Sequence, residues 1–245
     1  MPTMRSLSAM FFFALLLFLW SNNDLRAVDP CDTLSRDDRR AMAVEWIDQL
    51  SKTGMVIVLE SNRRQIEYLE NILENAGERD DRRTRRDREK LEEIQTSTRE
   101  RSLSFMRAFD KHFEFTDVYY TWDFNLPHLR NNPDTALLLD DHLDYSPEIK
   151  LKNTDDIFFM VSGSVPQSRG SGLDAYMIRN VEYRYLCPPF PYYLARNNNW
   201  FLNALASIFF PDAYGERSHE RVAELFQERL KNFKDSSIYE ELSSD

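Results

Sequence analysis

Residues 54–61 read GMVIVLES, and residues 115–122 read FTDVYYTW. The first stretch is a short apolar run between a glycine and the pair Ser61-Asn62, which is typical of a buried strand followed by a helix start. The second stretch is rich in aromatic and β-branched residues, which favour strands. Between them lies a polar, proline-free segment of helix-forming residues. The order strand, long helix, strand predicts an α/β or α+β fold.

Later apolar runs extend the predicted sheet. IFFMVSGSV at residues 157–165 is interpreted as a buried strand, and LDAYMIRNVEYRYL at residues 173–186 as a strand or bent pair. The shorter run ALLLDDHL, at residues 136–143, is interpreted as a strand leaving the core. We expect a single mixed sheet of about five strands flanked by helices, in one domain over residues 28–234. Residues 235–245 are expected to form a loose acidic tail.

Two helices are predicted near the ends of this domain. Ser35 followed by Asp38 resembles a capping box, and apolar residues at helical spacing continue from there to about Ser51. Gly54 is expected to end that helix. Ser218 is expected to start the last helix, whose apolar face consists of Val222, Leu225, Phe226, Leu230 and Phe233.

The central segment has two apolar stretches, separated at residues 77–90 by GERDDRRTRRDREK. A helix that is polar all round cannot be packed on every side, so we expect residues 78–90 to project into solvent. Two geometries fit: a single bowed helix, or a helical hairpin that turns near Gly77 and restarts at Asp80 or Asp81. The arginines of this stretch are interpreted as a solvated face with local ion pairs, and the alternative is an acidic partner or nucleic acid.

Charge and the N-terminus indicate where the protein acts. Residues 7–20 are uncharged and apolar behind Arg5, which is too short for a membrane span and typical of a secretory signal peptide. We therefore expect a signal peptide over residues 1–27 and a periplasmic or extracellular protein, which contacts the membrane only if that segment stays uncleaved. The net charge of −10 argues against nucleic acid as a partner.

The chain has two cysteines, Cys31 and Cys187. Both follow the expected cleavage region, and in an oxidising compartment they could form a disulfide. Two buried free thiols are the alternative. Their separation excludes a CxxC redox motif and a zinc site built from cysteines.

Asp140, His142 and Asp144 are the candidate metal-binding residues. On a strand these three side chains would share one face, because the side-chain period is two. A carboxylate–imidazole–carboxylate face can bind a divalent metal, which suggests a metal-dependent hydrolase. The simpler interpretation is an exposed strand end.

A second candidate is the aromatic-rich segment near residue 190, which could bind a small ligand or a glycan. Aromatic residues at alternate strand positions can equally belong to the core. The candidate ligand-binding residues are Tyr185, Tyr192, Tyr193, Arg196 and Trp200.

No complete catalytic signature occurs in the chain, since HExxH, GxSxG and a P-loop are all missing from the sequence. We therefore predict no catalytic residue and no cofactor. The leading hypothesis is a non-enzymatic exported interaction or envelope-associated protein, whose partner is another protein.

The order of the segments resembles an uncharacterised family of exported bacterial proteins. The shared features are GMVIVLES, a charged helix ending in SFMRAFDKHF at residues 104–113, FTDVYYTW, and PPFPYYLAR at residues 188–196. This resemblance implies no known activity, cofactor or catalytic residue.

Overall fold

The computed structural model describes residues 30–77, 81–165, 173–197 and 216–243. The chain divides into two compact units at Leu34, and the described part of the first unit forms the short helix α1 (Pro30–Thr33). The predicted signal peptide lies outside the described residues. Within the described ranges, no helix has the length and apolar composition needed to cross a membrane.

The second unit contains the sheet and its flanking helices. Its elements in chain order are α2 (Arg36–Thr53), β1 (Met55–Leu59), α3 (Arg63–Ala76), α4 (Arg82–His112), β2 (Val118–Trp122), α5 (Leu126–Asn131), β3 (Phe158–Ser164), β4 (Asp174–Arg179), β5 (Tyr193–Ala195), α6 (His219–Lys234) and α7 (Ser237–Ser243).

The strands form one five-stranded sheet in the order β2-β1-β3-β4-β5. Strands β2 and β3 both pair with β1 in parallel, whereas β4 and β5 are added in antiparallel pairs. The predicted mixed sheet is therefore confirmed. The strand predicted at residues 136–143 is wrong, because that run forms only an isolated bridge between Leu139 and Tyr145. The fifth strand is β5 instead, immediately after the prolines of residues 188–191.

Both faces of the sheet are covered. On one face, alternate residues of the strands pack with α5 and the loop that leads to β3, in a cluster that includes Val56, Phe159, Val161, Met177 and Leu129. On the other face, α4 lies against the sheet, with the Phe105 ring centroid 5.2 Å from that of Tyr176. Burial on both faces explains why the central strands are apolar at nearly every position.

Helix α2 begins and ends as the sequence predicts. The Ser35 hydroxyl accepts a hydrogen bond from the Asp38 backbone N–H at 3.1 Å and donates one to the Asp38 carboxylate at 2.7 Å. Gly54 ends the helix with a φ of 104°, in the region that favours glycine. A Cβ at this position would lie 2.9 Å from Cε2 of Tyr119.

Helices α3 and α4 form a hairpin that turns at Gly77, not a single bowed helix. Gly77 has a φ of 60°, and the Asp81 carboxylate accepts backbone hydrogen bonds from Arg83 and Thr84 at 2.8 Å each. We call α3 together with residues 82–97 of α4 the arm. The arm buries only the side chains of Leu69 and Thr84, so the projection predicted from its charged middle is confirmed.

The base of the arm is fixed by polar contacts. The Asn62 side-chain amide donates to the Thr98 hydroxyl at 2.8 Å, and Ser61 donates to the Asp123 carboxylate at 2.5 Å. These bonds join the end of β1, the start of α3, α4 and the end of β2. The arm therefore begins at the edge of the sheet where β1 and β2 end.

One backbone carbonyl at each outer edge of the sheet has a hydrogen-bond partner. Beside β2, the Tyr120 carbonyl accepts a hydrogen bond from the Leu139 backbone N–H at 2.9 Å. Beside β5, the Tyr193 carbonyl accepts a hydrogen bond from the Arg229 guanidinium, also at 2.9 Å. The loop before β3 and helix α6 thus lie along the two edges.

The predicted loose tail is corrected. Residues 237–243 form helix α7, and its Tyr239 hydroxyl donates to the Asp48 carboxylate at 2.7 Å. This hydrogen bond attaches the tail to α2, so the tail is ordered by a contact 191 positions away in the sequence.

The predicted disulfide is confirmed. Cys31 and Cys187 are both disulfide-bonded, and because the chain contains two cysteines, the bond joins one to the other.

Candidate functional site

The carboxyl ends of β1, β2 and β3 lie at the same edge of the sheet because the three strands are parallel. From β1 the chain passes through the arm to β2 on one side, and β3 lies on the other side of β1. The chain thus adds a strand first on one side of β1 and later on the other side. Such a change of direction in the strand order is a topological switch point, where open α/β sheets form a crevice that binds ligands. We call this region the carboxyl edge.

Five polar side chains meet at the crevice between β1 and β3, and we call them the arginine site. They come from separate parts of the chain: the residue after β1, the middle of α4, strand β3, the residue after β5, and the segment before α6. The residues are Glu60, Arg101, Ser162, Arg196 and Glu216.

Arg196 is the centre of this site. Its Nη1 donates to Glu60 at 3.1 Å and to the Ser162 hydroxyl at 2.7 Å, while its Nη2 lies 3.2 Å from Oε1 of Glu216. The other carboxylate oxygen of Glu216 accepts a hydrogen bond from Arg101 at 2.7 Å. The Arg196 side chain is only 14% exposed, so its guanidinium is held in a nearly fixed position.

The charges of the site stabilise one another. Burial by itself would raise the pKa of Glu60, but the hydrogen bond from Ser162 and the charges of Arg196 and Arg101 lower that pKa below its ordinary value. Burial opposes the charge on Arg196, yet nearby Glu60 and Glu216 help to raise its pKa. Glu60 and Arg196 are therefore both ionised at neutral pH.

A small cavity of about 40 Å³ lies under the arginine site. It is lined on one side by Leu59 and Met160 of the sheet and on the other by Phe105 of α4. Such a cavity has room for water or for the end of a small group, not for a drug-sized molecule.

His219 connects the start of α6 to α4 beside this site. Its Nδ1 lies 2.9 Å from the Ser104 hydroxyl, and its ring centroid lies 5.2 Å from that of Phe105. Burial and the charge of Arg101 lower the pKa of His219. The imidazole is therefore neutral at physiological pH, and its contacts position α6.

A larger depression lies at the base of the arm, next to the end of β2. We call it the arm-root groove; it has a volume of about 510 Å³. Its floor is apolar and its rim carries charges of both signs. The floor consists of Ile66, Trp122, Phe124 and Leu143, and the rim includes Arg63, Glu67, Glu70 and Arg99.

Phe124 is the most exposed residue of this floor, at 40%. The Arg63 guanidinium lies 4.8 Å from the centroid of its ring, a cation–π contact that holds the ring in place. A second open groove, of about 670 Å³, continues from Phe124 along the carboxyl edge towards Glu60. The concave surface of this edge thus runs from the arm to the arginine site.

Asp140, His142 and Asp144 lie on a tight turn, not on a strand. The Asp140 carboxylate accepts backbone hydrogen bonds from His142 and Asp144 at 2.9 Å each, and these bonds lower its pKa. Asp140, Asp141 and His142 offer ligand atoms within 4.8 Å of one another, whereas the predicted shared face with Asp144 is wrong. The hydrogen bonds give Asp140 a structural role in the turn, and metal binding here stays a prediction.

The candidate ligand-binding residues of the aromatic-rich segment that the structure describes lie in different environments. Tyr192 is buried in the core, and Trp200 lies outside the described residues. Tyr185 packs its ring 4.1 Å from the Arg179 guanidinium and accepts a hydrogen bond from it at 2.9 Å. Tyr193 is half-buried, with its ring 5.0 Å from that of Tyr192. Of the four predicted residues that the structure describes, Arg196 is the one that reaches the carboxyl edge.

Sequence reasoning did not identify the other members of the arginine site. The location of Glu60 could have been predicted, because a polar residue directly after a buried parallel strand lies at the carboxyl edge. Arg101 and Glu216 could not be predicted in this way, since they are two charged residues among many and 115 positions separate them. Only the packing of α4 beside the start of α6 brings them together.

The comparisons with known proteins add no relative. No protein-family model matches the chain, and no curated protein or solved structure is significantly similar to it.

Proposed function

We propose that this is an exported, non-enzymatic interaction protein that binds a segment of another protein in the arm-root groove. The single observation that carries the proposal is the combination found there: an apolar, aromatic floor within a rim of both charges, at the base of a projecting arm. Protein interfaces typically have this composition, with an aromatic centre and a polar rim.

The floor is suited to a partner's apolar side chain. Phe124 and Trp122 supply aromatic surface, and the Arg63 contact restricts the Phe124 ring before any partner arrives. A restricted ring loses little conformational entropy on binding, which favours affinity. Arg63 and Glu67 are ion-paired on the rim, so the rim presents charges of both signs around the apolar floor.

Export is the second part of the proposal. The apolar leader at residues 7–20 and the disulfide support it, because disulfides persist in oxidising compartments and are rare in the cytosol. Cell fractionation tests this part: the mature chain should be found outside the cytosol, without residues 1–27 and with Cys31 and Cys187 oxidised.

Site-specific photocrosslinking tests the binding part in the cells that export the protein. A photoreactive phenylalanine analogue at position 124 should give a discrete crosslinked adduct. The matched control places the same analogue at position 68, because Tyr68 is an exposed aromatic residue of α3, at 65%, that does not line the groove. Mass spectrometry of the position-124 adduct identifies the partner.

The identified partner is then titrated against purified variants. Phe124→Ser should weaken binding by about tenfold or more, as expected for an aromatic residue at an interface centre. Tyr68→Ser should change the Kd less than about twofold, because Tyr68 does not line the groove. Equal crosslinking at positions 68 and 124, or an unchanged Kd for Phe124→Ser, would contradict the proposal.

A further inference from the structure

The carboxylate of Glu216 occupies the position in the arginine site where a bound acid would lie. One of its oxygens contacts Arg196 at 3.2 Å and the other contacts Arg101 at 2.7 Å. Two guanidinium groups that share the two oxygens of one carboxylate form a strong, geometrically specific arrangement. Glu216 therefore shows how this site binds a carboxylate.

The Glu216 side chain is held by these two ion pairs and is otherwise open to solvent. It is 52% exposed, and the Glu216 backbone is outside any helix or strand, with one isolated bridge to Asn197. An exchange of this side chain for an external acid would leave the helices and strands in place. The adjacent backbone stays attached, because the Arg217 N–H donates to the Arg196 carbonyl at 2.9 Å, so the exchange requires a rotation of the Glu216 side chain alone.

Arg196, by contrast, is preorganised. Glu60 and Ser162 hold its Nη1, and its guanidinium lies 5.3 Å from the Tyr176 ring centroid. Its Nε is buried and has no hydrogen-bond partner within the described ranges. The guanidinium is therefore fixed before a ligand arrives, and a fixed receptor group loses little entropy when a ligand binds.

We propose that the arginine site binds the carboxylate of a small acid or of a peptide C-terminus, and that Glu216 is an intrachain stand-in for this ligand. When Glu216 moves away, the described site retains two positive charges, on Arg101 and Arg196, and one negative charge, on Glu60. The remaining charge of about +1 matches a monoanion, whereas a phosphate dianion would bring excess negative charge next to Glu60. A carboxylate therefore fits better than inorganic phosphate.

Removal of the stand-in tests the proposal. Glu216→Ala should bind acetate on the order of tenfold more tightly than the wild-type chain, because acetate no longer competes with an internal carboxylate. Binding is measured as the rise in melting temperature and by titration calorimetry, with sodium chloride at matched ionic strength as the reference. Glu74→Ala, which removes an exposed glutamate of α3, should behave as wild type.

A second change identifies the receptor. Glu216→Ala combined with Arg196→Met should lose acetate binding, while Glu216→Ala combined with Phe124→Ser should keep it, since the proposal does not depend on the arm-root groove. Glu216→Gln keeps the shape of the side chain without its charge, and it should show a smaller gain if Glu216→Ala fails to fold.

Short peptides distinguish the two ligand sources. A tripeptide with a free C-terminus that binds Glu216→Ala more tightly than acetate indicates a polypeptide end as the natural ligand, provided that its C-terminal amide does not bind. Acetate that binds as well as the peptide indicates a small free acid. The proposal is overturned if neither binds Glu216→Ala better than wild type, or if inorganic phosphate binds more tightly than both.

Discussion

The sheet and the arm differ in how many of their side chains are buried. Strands β1 and β3 are covered on both faces, and residues such as Val56 and Phe159 have no exposed surface. The arm contains more residues than these two strands together, yet it buries only Leu69 and Thr84. Because buried apolar area is the main source of folding free energy, the sheet stabilises the protein and the arm adds surface.

This difference assigns separate roles to the two regions. Substitutions in the sheet should change stability, because close-packed side chains cannot be replaced without cavities or strain. Substitutions on the exposed faces of the arm should change binding and leave stability nearly constant. The following predictions test that separation, in order of decreasing effect.

Phe159→Ala should have the largest effect. The Phe159 ring is fully buried at the centre of the sheet, so its removal should leave a cavity and lower the free energy of unfolding by about 3–5 kcal/mol. Urea denaturation followed by circular dichroism measures the change. A loss below about 1 kcal/mol would show that the sheet is not the stabilising region.

Loss of the disulfide should have the next largest effect on the free energy of unfolding. A bond between Cys31 and Cys187 closes a long loop in the unfolded chain, and replacing both cysteines by serine should lower the free energy of unfolding by about 2–4 kcal/mol. The wild-type chain should lose similar stability in reducing agent, whereas the double variant should be insensitive to it. Mass analysis before reduction should show the wild-type chain two hydrogens lighter than its reduced form.

The two positive-φ glycines allow a matched comparison of the regions. Alanine at either position meets an unfavourable backbone conformation, but a Cβ at Gly54 also approaches Tyr119 within 2.9 Å, while a Cβ at Gly77 meets nothing within 4 Å. Gly54→Ala should therefore cost about 2–3 kcal/mol and Gly77→Ala about 1 kcal/mol. Equal melting temperatures for the two variants would contradict the packing described at the end of α2.

Removal of the ion pair between Glu60 and Arg196 should have a smaller, pH-dependent effect on the free energy of unfolding. Glu60→Gln should lower the free energy of unfolding by about 1 kcal/mol or less at neutral pH, because the pair is partly exposed. The pKa of Glu60 is lowered in the folded state, so the stability it contributes is present above the unfolded-state pKa and is lost as the pH falls through the folded-state pKa. The difference between wild type and Glu60→Gln should consequently begin to shrink below the unfolded-state pKa of about 4.3 and disappear once the pH lies below the folded-state pKa.

Tyr68→Ala should have the smallest effect. This side chain is 65% exposed on the arm, so the free energy of unfolding should change by less than about 0.5 kcal/mol. Leu69→Ala on the same helix is the control, because Leu69 is buried, and it should speed hydrogen exchange within the arm. An equal effect of the two substitutions would mean that the arm is not packed as a hairpin.

The elements with a clear apolar pattern could be predicted from the sequence. The runs at β1, β2 and β3 carry enough β-branched and aromatic residues to indicate buried strands, and Gly77 with Asp81 marks a helix end and a helix start. Strand β5 could not be predicted, because its backbone pairs with β4 directly after three prolines that locally disfavour a strand.

The candidate site was less predictable than the fold. The cluster at Asp140 is a local pattern in the sequence, and the structure explains it by local hydrogen bonds within one turn. The arginine site has the opposite character, since Glu60 and Arg196 are 136 positions apart and meet only after the sheet has formed. Residue spacing in the sequence can therefore indicate a cluster of neighbouring residues, such as that at Asp140, but it gives no information about a cluster of distant residues, such as the arginine site.

The covered sides of β2 and β5 restrict how this protein can associate. Sheets commonly recruit partners or form fibrils by adding a strand to an unpaired border. Here the carbonyl oxygens of Tyr120 and Tyr193 already accept hydrogen bonds from the chain itself. A strand added at either border would have to displace these bonds, so the arrangement disfavours main-chain pairing with a partner or with a second copy of the chain.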